Sequence, residues 1–431
     1  MLADLPLFQK PIIPWTIGLV LLLVVGGTGW RTYRAWSPPA KEFNWEQRGH
    51  SDFHYGTYVP ARILLNGDNP YTEMGIQNYP IPRPAPPFSP AHFLLHSPLV
   101  WLSLAVANTL FFIGNAGLLF LLAWLACRCA KEDTPIGVIL LVALLVFVSR
   151  PGHQTLFTGY FTAELAVGTT LALHFARSRP TVSALGLFLT SFKPTFLVPL
   201  LVLMFFRRDF RAVLTGCLFT GIGLLIGLGW MALSSSPSEV IEGFLLSQKS
   251  HETNPDINPA SSWVRTDFLA LLSKPFGFSP GAGSYLLTMV PIFAVPSWIL
   301  WKVGRRGYQF GATGPSGLLI CLAMLVGFYH SIYDTLILIP AWVGLTLYGS
   351  RVYAIWQPWQ RLLLIGLTSL PAVSYFGSMA AKNRLQLPDD SWIWHGLTMS
   401  SGLALLAALI VLTCTMLMQE NRDRNVTTDR N

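Results

Sequence analysis

A few charged residues interrupt an otherwise apolar chain, and their types suit acid–base and anion chemistry. Asp52 lies in a long polar segment and is a candidate general base, although a helix N-cap explains it equally well. Glu164 stands four residues into an apolar run, so it is either a functional acid or a residue at the wet mouth of a cavity. Lys193, Arg150 and Arg265 could bind an anionic group through charge-assisted hydrogen bonds.

A second polar group lies between two later apolar runs. His330 and Asp334 belong to the segment Tyr329-His330-Ser331-Ile332-Tyr333-Asp334, which leaves almost no room for a loop. We expect both to face the same compartment as Asp52. An interface histidine and an N-cap aspartate remain open as simpler explanations.

The cysteines indicate neither disulfides nor a metal centre. The chain has five, and the long polar loops contain none of them. Cys127 and Cys129 are separated by one residue, which is not a zinc-ribbon spacing. The sequence therefore predicts no disulfide framework, no metal site and no cofactor.

The composition shows which elements must position these residues. Of the 431 residues, 52% are hydrophobic and only 12% are charged, whereas a soluble domain has about 25% charged residues. The mean hydropathy is +0.48. This excludes a soluble enzyme, a DNA-binding module and a disordered chain, and it favours an all-α polytopic membrane protein. The net charge of +8 fits Lys and Arg in cytoplasmic loops, so no nucleic-acid partner is expected.

The apolar runs predict about 12 membrane crossings, within a range of 10 to 13. One stretch, 182–206, has basic residues on both sides and Lys193-Pro194 at its centre. Proline breaks a helix and a central charge is costly, so we predict a hairpin of two short helices with Lys193 at its outer tip. The other runs are 12–30, 104–126, 136–149, 161–176, 212–233, 285–301, 317–328, 336–348, 362–375 and 393–416.

The loops predict an orientation. Lys and Arg are concentrated in the short loops, which places those loops and both termini in the cytoplasm. The chain is then one integral membrane domain, 1–431, with a first outer loop at 31–103, a second at 234–284 and a cytoplasmic tail at 418–431. Loops this long usually have a function, so the active site is expected on the outer face, among short surface helices.

An ordered set of motifs resembles glycosyltransferase family 87. Asp52 and the following Tyr55 precede an Asn-Gly-Asp-Asn-Pro-Tyr turn at 66–71 and a Pro-Pro segment before Ser97-Pro98-Leu99. Further landmarks are Gly159-Tyr160, where the family usually has Gly-Gln, then Lys193-Pro194-Thr195, and Tyr333-Asp334 followed by Pro340. The resemblance extends from about Asp52 to Pro340.

The resemblance implies a fold and a reaction. The family contains polyprenyl-phosphate-mannose-dependent mannosyltransferases of the GT-C superfamily, so a GT-C-like bundle and a lipid-phosphate sugar donor are expected. A lipid or glycan hydroxyl would be the acceptor, membrane lipids would surround the bundle, and a bacterial inner membrane would be the location. By this resemblance and by its position in the first loop, Asp52 would be the catalytic base. From their charge, and not from the resemblance, Lys193, Arg150 and Arg265 are the best candidates to bind the donor phosphate, so that a metal would not be required. The pocket candidates are His330, Asp334, Tyr160, Glu164 and Tyr55.

Two other classes of protein remain open from the sequence. A lipid or solute transporter or flippase would show repeated halves with paired broken helices, and only one broken hairpin is visible. A non-catalytic membrane subunit of envelope polysaccharide assembly would be expected to lack acids in its outer loops, and this chain has Asp52.

Overall fold

The computed structural model is helical throughout the part of the chain that it describes. The described residues are 12–36, 38–42, 47–72, 77–81, 84–233, 235–254, 257–278, 281–306, 311–354, 356–388 and 391–428. Residues 1–11, where the cytoplasmic start was predicted, and 429–431 at the end of the tail lie outside them. In these ranges the only β-pairing is two isolated bridges, Trp36 with Gly49 and Arg265 with Ser331.

The described residues form twenty α-helices joined by short 3₁₀ and π turns. In chain order they are α1 (Ile12–Arg34), α2 (Ser51–Phe53), α3 (Val59–Leu65), α4 (Pro90–His96), α5 (Leu104–Ala130), α6 (Ile136–Val148), α7 (Arg150–Thr158), α8 (Thr162–Phe175), α9 (Pro180–Thr190), α10 (Pro194–Phe206), α11 (Phe210–Met231), α12 (Pro237–Thr253), α13 (Phe268–Phe276), α14 (Ala282–Arg306), α15 (Pro315–Gly327), α16 (Ile339–Thr346), α17 (Gly349–Val352), α18 (Pro358–Val373), α19 (Met379–Leu385) and α20 (Trp392–Thr428).

Every apolar run that predicted a membrane crossing is helical, and the chain is a polytopic integral membrane protein. Within the described residues, five helices are long and apolar enough to cross a bilayer, or six if α6 and α7 form one bent span. Four shorter apolar segments lie at 180–190, 194–206, 315–327 and 332–346. The total of about 12 crossings therefore stays a prediction.

A sharp bend follows α6, where the sequence predicted only a helix end. The chain turns by 67° and continues as α7. Ser149 caps the new helix by accepting a hydrogen bond from the Gly152 amide at 3.2 Å, and Pro151 occupies the first turn. Proline there has no N–H that the helix would need, so the sequence Ser-Arg-Pro-Gly starts a helix as readily as it ends one.

The course of the chain confirms the predicted hairpin. α9 and α10 are separated at Ser191–Lys193, and the residues that flank the pair meet again at its base. Arg177 donates to the carbonyl of Arg207 at 3.2 Å and forms an ion pair with Asp209. The chain therefore reverses at Lys193, although this residue is buried and not at an exposed tip.

Two short helices form the centre of the bundle. α15 has 13 residues and α8 has 14, and almost every side chain in both is buried. At 1.5 Å per residue each is about 20 Å long, shorter than the roughly 30 Å of hydrocarbon in a bilayer. Their ends therefore lie inside the protein, and polar residues at those ends are buried.

The two predicted outer loops pack against each other. Tyr71 of the first loop stacks on Phe244 of α12 with ring centroids 4.2 Å apart. Ser247 donates to the carbonyl of Ala85 in the proline-rich segment. The first loop is thus a packed layer over the short central helices, and it positions whatever polar groups it contains.

Candidate active site

A buried ion pair between Lys193 and Asp334 lies at the centre of the site. The Lys193 Nζ and Asp334 Oδ2 atoms are 2.7 Å apart, and the two side chains are 4% and 0% exposed. The same oxygen accepts from the Ser331 amide at 2.9 Å and lies 3.1 Å from Nδ1 of His330. Two predicted pocket residues and the predicted phosphate ligand therefore meet at one point.

The simpler explanation of Asp334 as an N-cap residue is wrong, because another residue occupies the N-cap position. Ser331 is the N-cap of the 3₁₀ turn Ile332–Leu338, and Asp334 is the third residue of a reciprocal capping box with it. One carboxylate oxygen thus serves the turn, His330 and Lys193 together. Because of these contacts, the charge of Asp334 is both compensated and fixed in direction.

Aromatic rings surround the ammonium group of Lys193. Nζ lies 5.3 to 5.9 Å from four ring centroids, those of Tyr160, Phe196, Tyr329 and Tyr333. Tyr160 and Tyr333 also pack on each other at 4.5 Å. Ring faces attract a cation and exclude water, so electrostatic interactions at this point are stronger than they would be in water.

Asp52 lies beside this cluster. It is the second residue of α2, it is partly buried, and its carboxylate interacts electrostatically with Lys193, Tyr160 and Tyr333. The N-cap explanation for Asp52 is not supported, because His50 occupies that position and α2 has no side-chain cap. The acid predicted as base is therefore within electrostatic reach of the predicted phosphate ligand.

The position of α2 depends on a close approach to the end of α7. Gly159 has a φ of +70°, and a Cβ atom there would meet the Cβ of Phe53 at 2.8 Å. The backbone amide of His50 donates to the Phe157 carbonyl at 2.8 Å. The side-chain Nδ1 of His50 lies 2.8 Å from Oδ1 of Asn108. These contacts join the helix that carries Asp52 to the segment that carries Tyr160.

The backbone between α2 and α3 contains a π-helical turn, His54–Tyr58, which begins three residues after the first residue of α2. Pro60 follows in the first turn of α3. A π turn shifts the hydrogen-bond register, so the missing N–H of a proline is tolerated there. The helix continues to Leu65 and ends before Gly67, which has a φ of +87°.

Arg265 also lies beside Tyr329. Its guanidinium lies 4.8 Å from the Tyr329 ring and makes two hydrogen bonds to Asp267, at 2.7 and 2.8 Å. The backbone of Arg265 pairs with Ser331, which is next to His330. Two of the predicted phosphate ligands thus lie near the same tyrosine ring, Lys193 at 5.4 Å and Arg265 at 4.8 Å from its centroid.

Arg150 is also buried, and its hydrogen-bond partners include backbone carbonyls. It donates to the carbonyls of Ser374 and Gly377 at 2.6 and 3.0 Å. Lys274, which the sequence analysis missed, interacts electrostatically with Arg150, Arg265 and Asp267. Burial lowers the pKa of Lys274 to about 8; Asp267 opposes this shift, and the two arginines add to it.

The two remaining candidates, Glu164 and Tyr55, have hydrogen-bond partners of their own. Glu164 is in the first turn of α8 and lies 3.0 Å from Nε2 of His96. Tyr55 is partly buried, with its hydroxyl 3.4 Å from the Ala40 carbonyl. Tyr329 and Phe196 belong to the ring cluster but were missed, because aromatic residues beside a membrane helix are too common to stand out.

Comparison with known proteins defines the class. A polytopic helical bundle with a buried acid–base cluster under a packed loop fits a membrane enzyme, and the model of glycosyltransferase family 87 matches residues 86–328. This is more than half of the chain, so the protein belongs to glycosyltransferase family 87. It is a membrane glycosyltransferase, as the sequence motifs indicated. Comparison with curated proteins and with solved structures gave no match.

The matched region contains only part of the site. Lys193, Arg150, Arg265, Tyr160 and Glu164 lie inside it, whereas Asp52, His330 and Asp334 lie outside. The structure brings Lys193 from inside the region into contact with Asp334 from outside it. Contacts in the fold therefore extend the candidate site beyond the matched residues.

Proposed function

We propose that this protein transfers a hexose, with mannose the expected sugar, from a polyprenyl-phosphate donor to an acceptor hydroxyl on the outer face of the membrane. The observation that carries this proposal is the ring-enclosed Lys193–Asp334 pair, with which the Asp52 carboxylate interacts electrostatically. A base and a cation close together inside a membrane bundle suit a donor that arrives through the bilayer.

In the proposed reaction the acceptor oxygen forms a bond to the anomeric carbon while the bond from that carbon to the phosphate oxygen breaks. Asp52 takes the proton of the acceptor hydroxyl as it attacks. The bonding electron pair leaves with the polyprenyl phosphate, whose charge must be stabilised. No nucleotide is released, and a nucleotide-binding domain is not needed.

Lys193 is suited to the leaving phosphate because an ammonium group has three N–H donors. One of them is used by Asp334, and a phosphate oxygen could take another without breaking that pair. Keeping the pair matters, since an uncompensated buried charge costs several kcal/mol, about 3 to 5 when one partner is removed. Arg265 and Arg150 would contribute to the positive potential nearby.

His330, Tyr160 and Tyr333 would form the walls of the sugar pocket. His330 is fully buried and held against Asp334, so it can orient that carboxylate. The tyrosine rings offer flat apolar faces beside Lys193. Such a lining, with few polar groups on mostly aromatic walls, is typical of small-molecule sites.

The test is consumption of a lipid-linked sugar by purified protein in detergent. Polyprenyl-phosphate mannose should be consumed when a crude lipid and glycan acceptor extract from an envelope is supplied, and GDP-mannose should not. Consumption of the nucleotide sugar alone would contradict the donor assignment. Transport of the lipid across proteoliposomes without cleavage of the sugar–phosphate bond would favour a flippase instead.

A further inference from the structure

Three buried metal-ligand side chains lie together beside the candidate active site. His92 and His96 are four residues apart on α4, so they share one face of the helix, and Glu164 comes from the first turn of α8. Each residue offers a ligand atom, and these atoms all lie within 4.8 Å of one another. The side chain of His96 and that of Glu164 are 10% and 11% exposed, and His92 is fully buried.

The hydrogen bonds of His96 aim its second nitrogen at Glu164. Nδ1 lies 2.9 Å from the carbonyl of His92, so it is the nitrogen that carries the proton. In the neutral imidazole, which a bound metal ion would require, Nε2 then has its lone pair available; it lies 3.0 Å from Oε1 of Glu164. A histidine that donates one N–H to a backbone carbonyl and presents the other nitrogen is the usual arrangement at a metal.

His92 has a matching arrangement. Its Nε2 lies 3.0 Å from the Thr57 hydroxyl, whereas its Nδ1 has no hydrogen-bond partner among the described residues. Oε2 of Glu164 also has none there. Buried polar atoms are normally hydrogen-bonded, and two unsatisfied atoms in one cluster indicate a missing ligand.

The distance between His96 and Glu164 suits a small tetrahedral ion. Zinc binds histidine nitrogen and carboxylate oxygen at about 2.0 to 2.2 Å, which puts neighbouring ligand atoms roughly 3.3 Å apart. The separation between His96 and Glu164 is close to that value. Two histidines and one glutamate are also a common ligand set for zinc with one open position.

We propose that His92, His96 and Glu164 bind a divalent transition-metal ion, with zinc the best match. The ion would tie α4 of the first loop to α8 of the bundle. The Phe192 ring, next to Lys193 in the chain, contacts both histidines, and Thr162 lies 3.5 Å from Asp334. The ion would therefore hold the frame around the ion pair, and this inference does not depend on the proposed reaction.

The test uses the full chain, purified in detergent with a tag that contains no histidine. After treatment with a chelator, the protein is equilibrated with zinc and separated from free metal, and elemental analysis gives the zinc content. We expect about one zinc per chain, with affinity at least about 100-fold weaker in His96→Gln and Glu164→Gln. Thr57→Val should weaken binding about 10-fold, because a partner of a ligand is lost. His153→Gln, at a histidine outside the cluster, should bind as the wild type does.

Cobalt gives a second measurement that needs no variant. Co²⁺ bound to the wild type should show the visible absorption of a tetrahedral nitrogen and oxygen site, and zinc should remove it. Absence of this absorption, or equal zinc content in the wild type and both ligand variants, would overturn the proposal and leave only an internal His96–Glu164 ion pair. Loss of zinc binding with intact sugar transfer would separate this site from the proposed reaction.

Discussion

At the scale of single residues, the chemistry depends on how the positive charge of Lys193 is compensated. Its ammonium is enclosed by rings, forms an ion pair with Asp334 and also interacts electrostatically with Asp52. A pair of this kind is weak evidence for stability, because desolvation offsets most of the Coulomb attraction. A functional role for the charge explains its position better than a structural one.

The first prediction separates these roles. Lys193→Met should nearly abolish transfer, Lys193→Arg should retain part of it and Lys193→Gln little, since the charge-assisted contact to phosphate is lost. Lys193→Met combined with Asp334→Asn should recover thermal stability, because no unpaired charge remains, but not activity. Lys249→Ala, at an exposed lysine of α12, is the matched control. Full activity in the double variant would mean that another cation binds the donor phosphate.

A second prediction concerns Lys274 and pH. Its folded-state pKa of about 8 lies below the ordinary 10.5, so the unfolded chain binds more protons between these values and the stability of the wild type rises with pH there. Lys274→Met should therefore raise the melting temperature at pH 7, and its advantage should shrink towards pH 10. Lys249→Met should show no such trend. An equal advantage at both pH values would contradict the low pKa.

At the scale of elements, the position of Lys193 depends on a close helix crossing. A Cβ atom on Gly186 of α9 would meet the Gly168 carbonyl oxygen of α8 at 2.4 Å. Two glycines therefore let α9 approach the central helix and bring the hairpin turn to Asp334. Larger residues would push the two helices apart.

A matched pair of variants tests this crossing. Gly114→Ala in α5, where a Cβ would meet nothing within 4 Å, should be neutral or stabilising by about 0.5 to 1 kcal/mol through helix propensity. Gly186→Ala should destabilise by about 1 to 3 kcal/mol, because it overpacks the crossing. Melting in one detergent measures both variants. Equal melting temperatures would show that the helices can move apart freely.

The elements were predictable from the sequence where one local signal decided them. Continuous apolar runs became helices, the break at Lys193-Pro194 followed from proline chemistry, and the motif turn at 66–71 begins where α3 ends. The bend at Ser149 and the π turn at His54–Tyr58 were not predicted. Both depend on tertiary packing, because the local sequence also permits a simple helix end or a regular helix.

The site was predictable residue by residue but not as contacts. Asp52, Lys193 and Asp334 were each selected, yet 141 residues separate the two members of the ion pair, and no local pattern encodes such a distance. Lys274 and His96 were missed because lone basic residues in a polar loop are ordinary. Their interest comes from burial, which depends on the packed loops.

At the scale of the whole molecule, the division into lipid-facing and central helices explains why polar residues are tolerated. In the membrane span of α1 only 11% of residues are buried, and in that of α11 22%, so both present apolar side chains to lipid. The short helices α8 and α15 are enclosed and end at the polar cluster. A polar site inside a bilayer requires this enclosure, because lipid offers no hydrogen bonds.

Labelling tests the predicted orientation. In a background without the five native cysteines, Asp68→Cys in the first loop should react with an impermeant thiol reagent on intact cells. Asp133→Cys, in a short loop predicted to be cytoplasmic, should react only after lysis. Both positions are exposed, so the difference reports the side of the membrane. Lys193 is unsuitable for labelling because it is buried. The reverse pattern would invert the topology.

The most direct test of the account is the turnover of Asp52→Asn. The substitution keeps size, and α2 uses His50 as its N-cap, so folding should change little; the lost charge near a helix start is worth about 0.3 to 1 kcal/mol. Asp68→Asn, an exposed acid of the same loop, is the control. If Asp52 is the general base, the rate of lipid-linked sugar consumption should fall about 100- to 10,000-fold, with donor binding retained. Near-normal turnover would contradict the assignment and move the base to Glu46, Glu164 or Asp334.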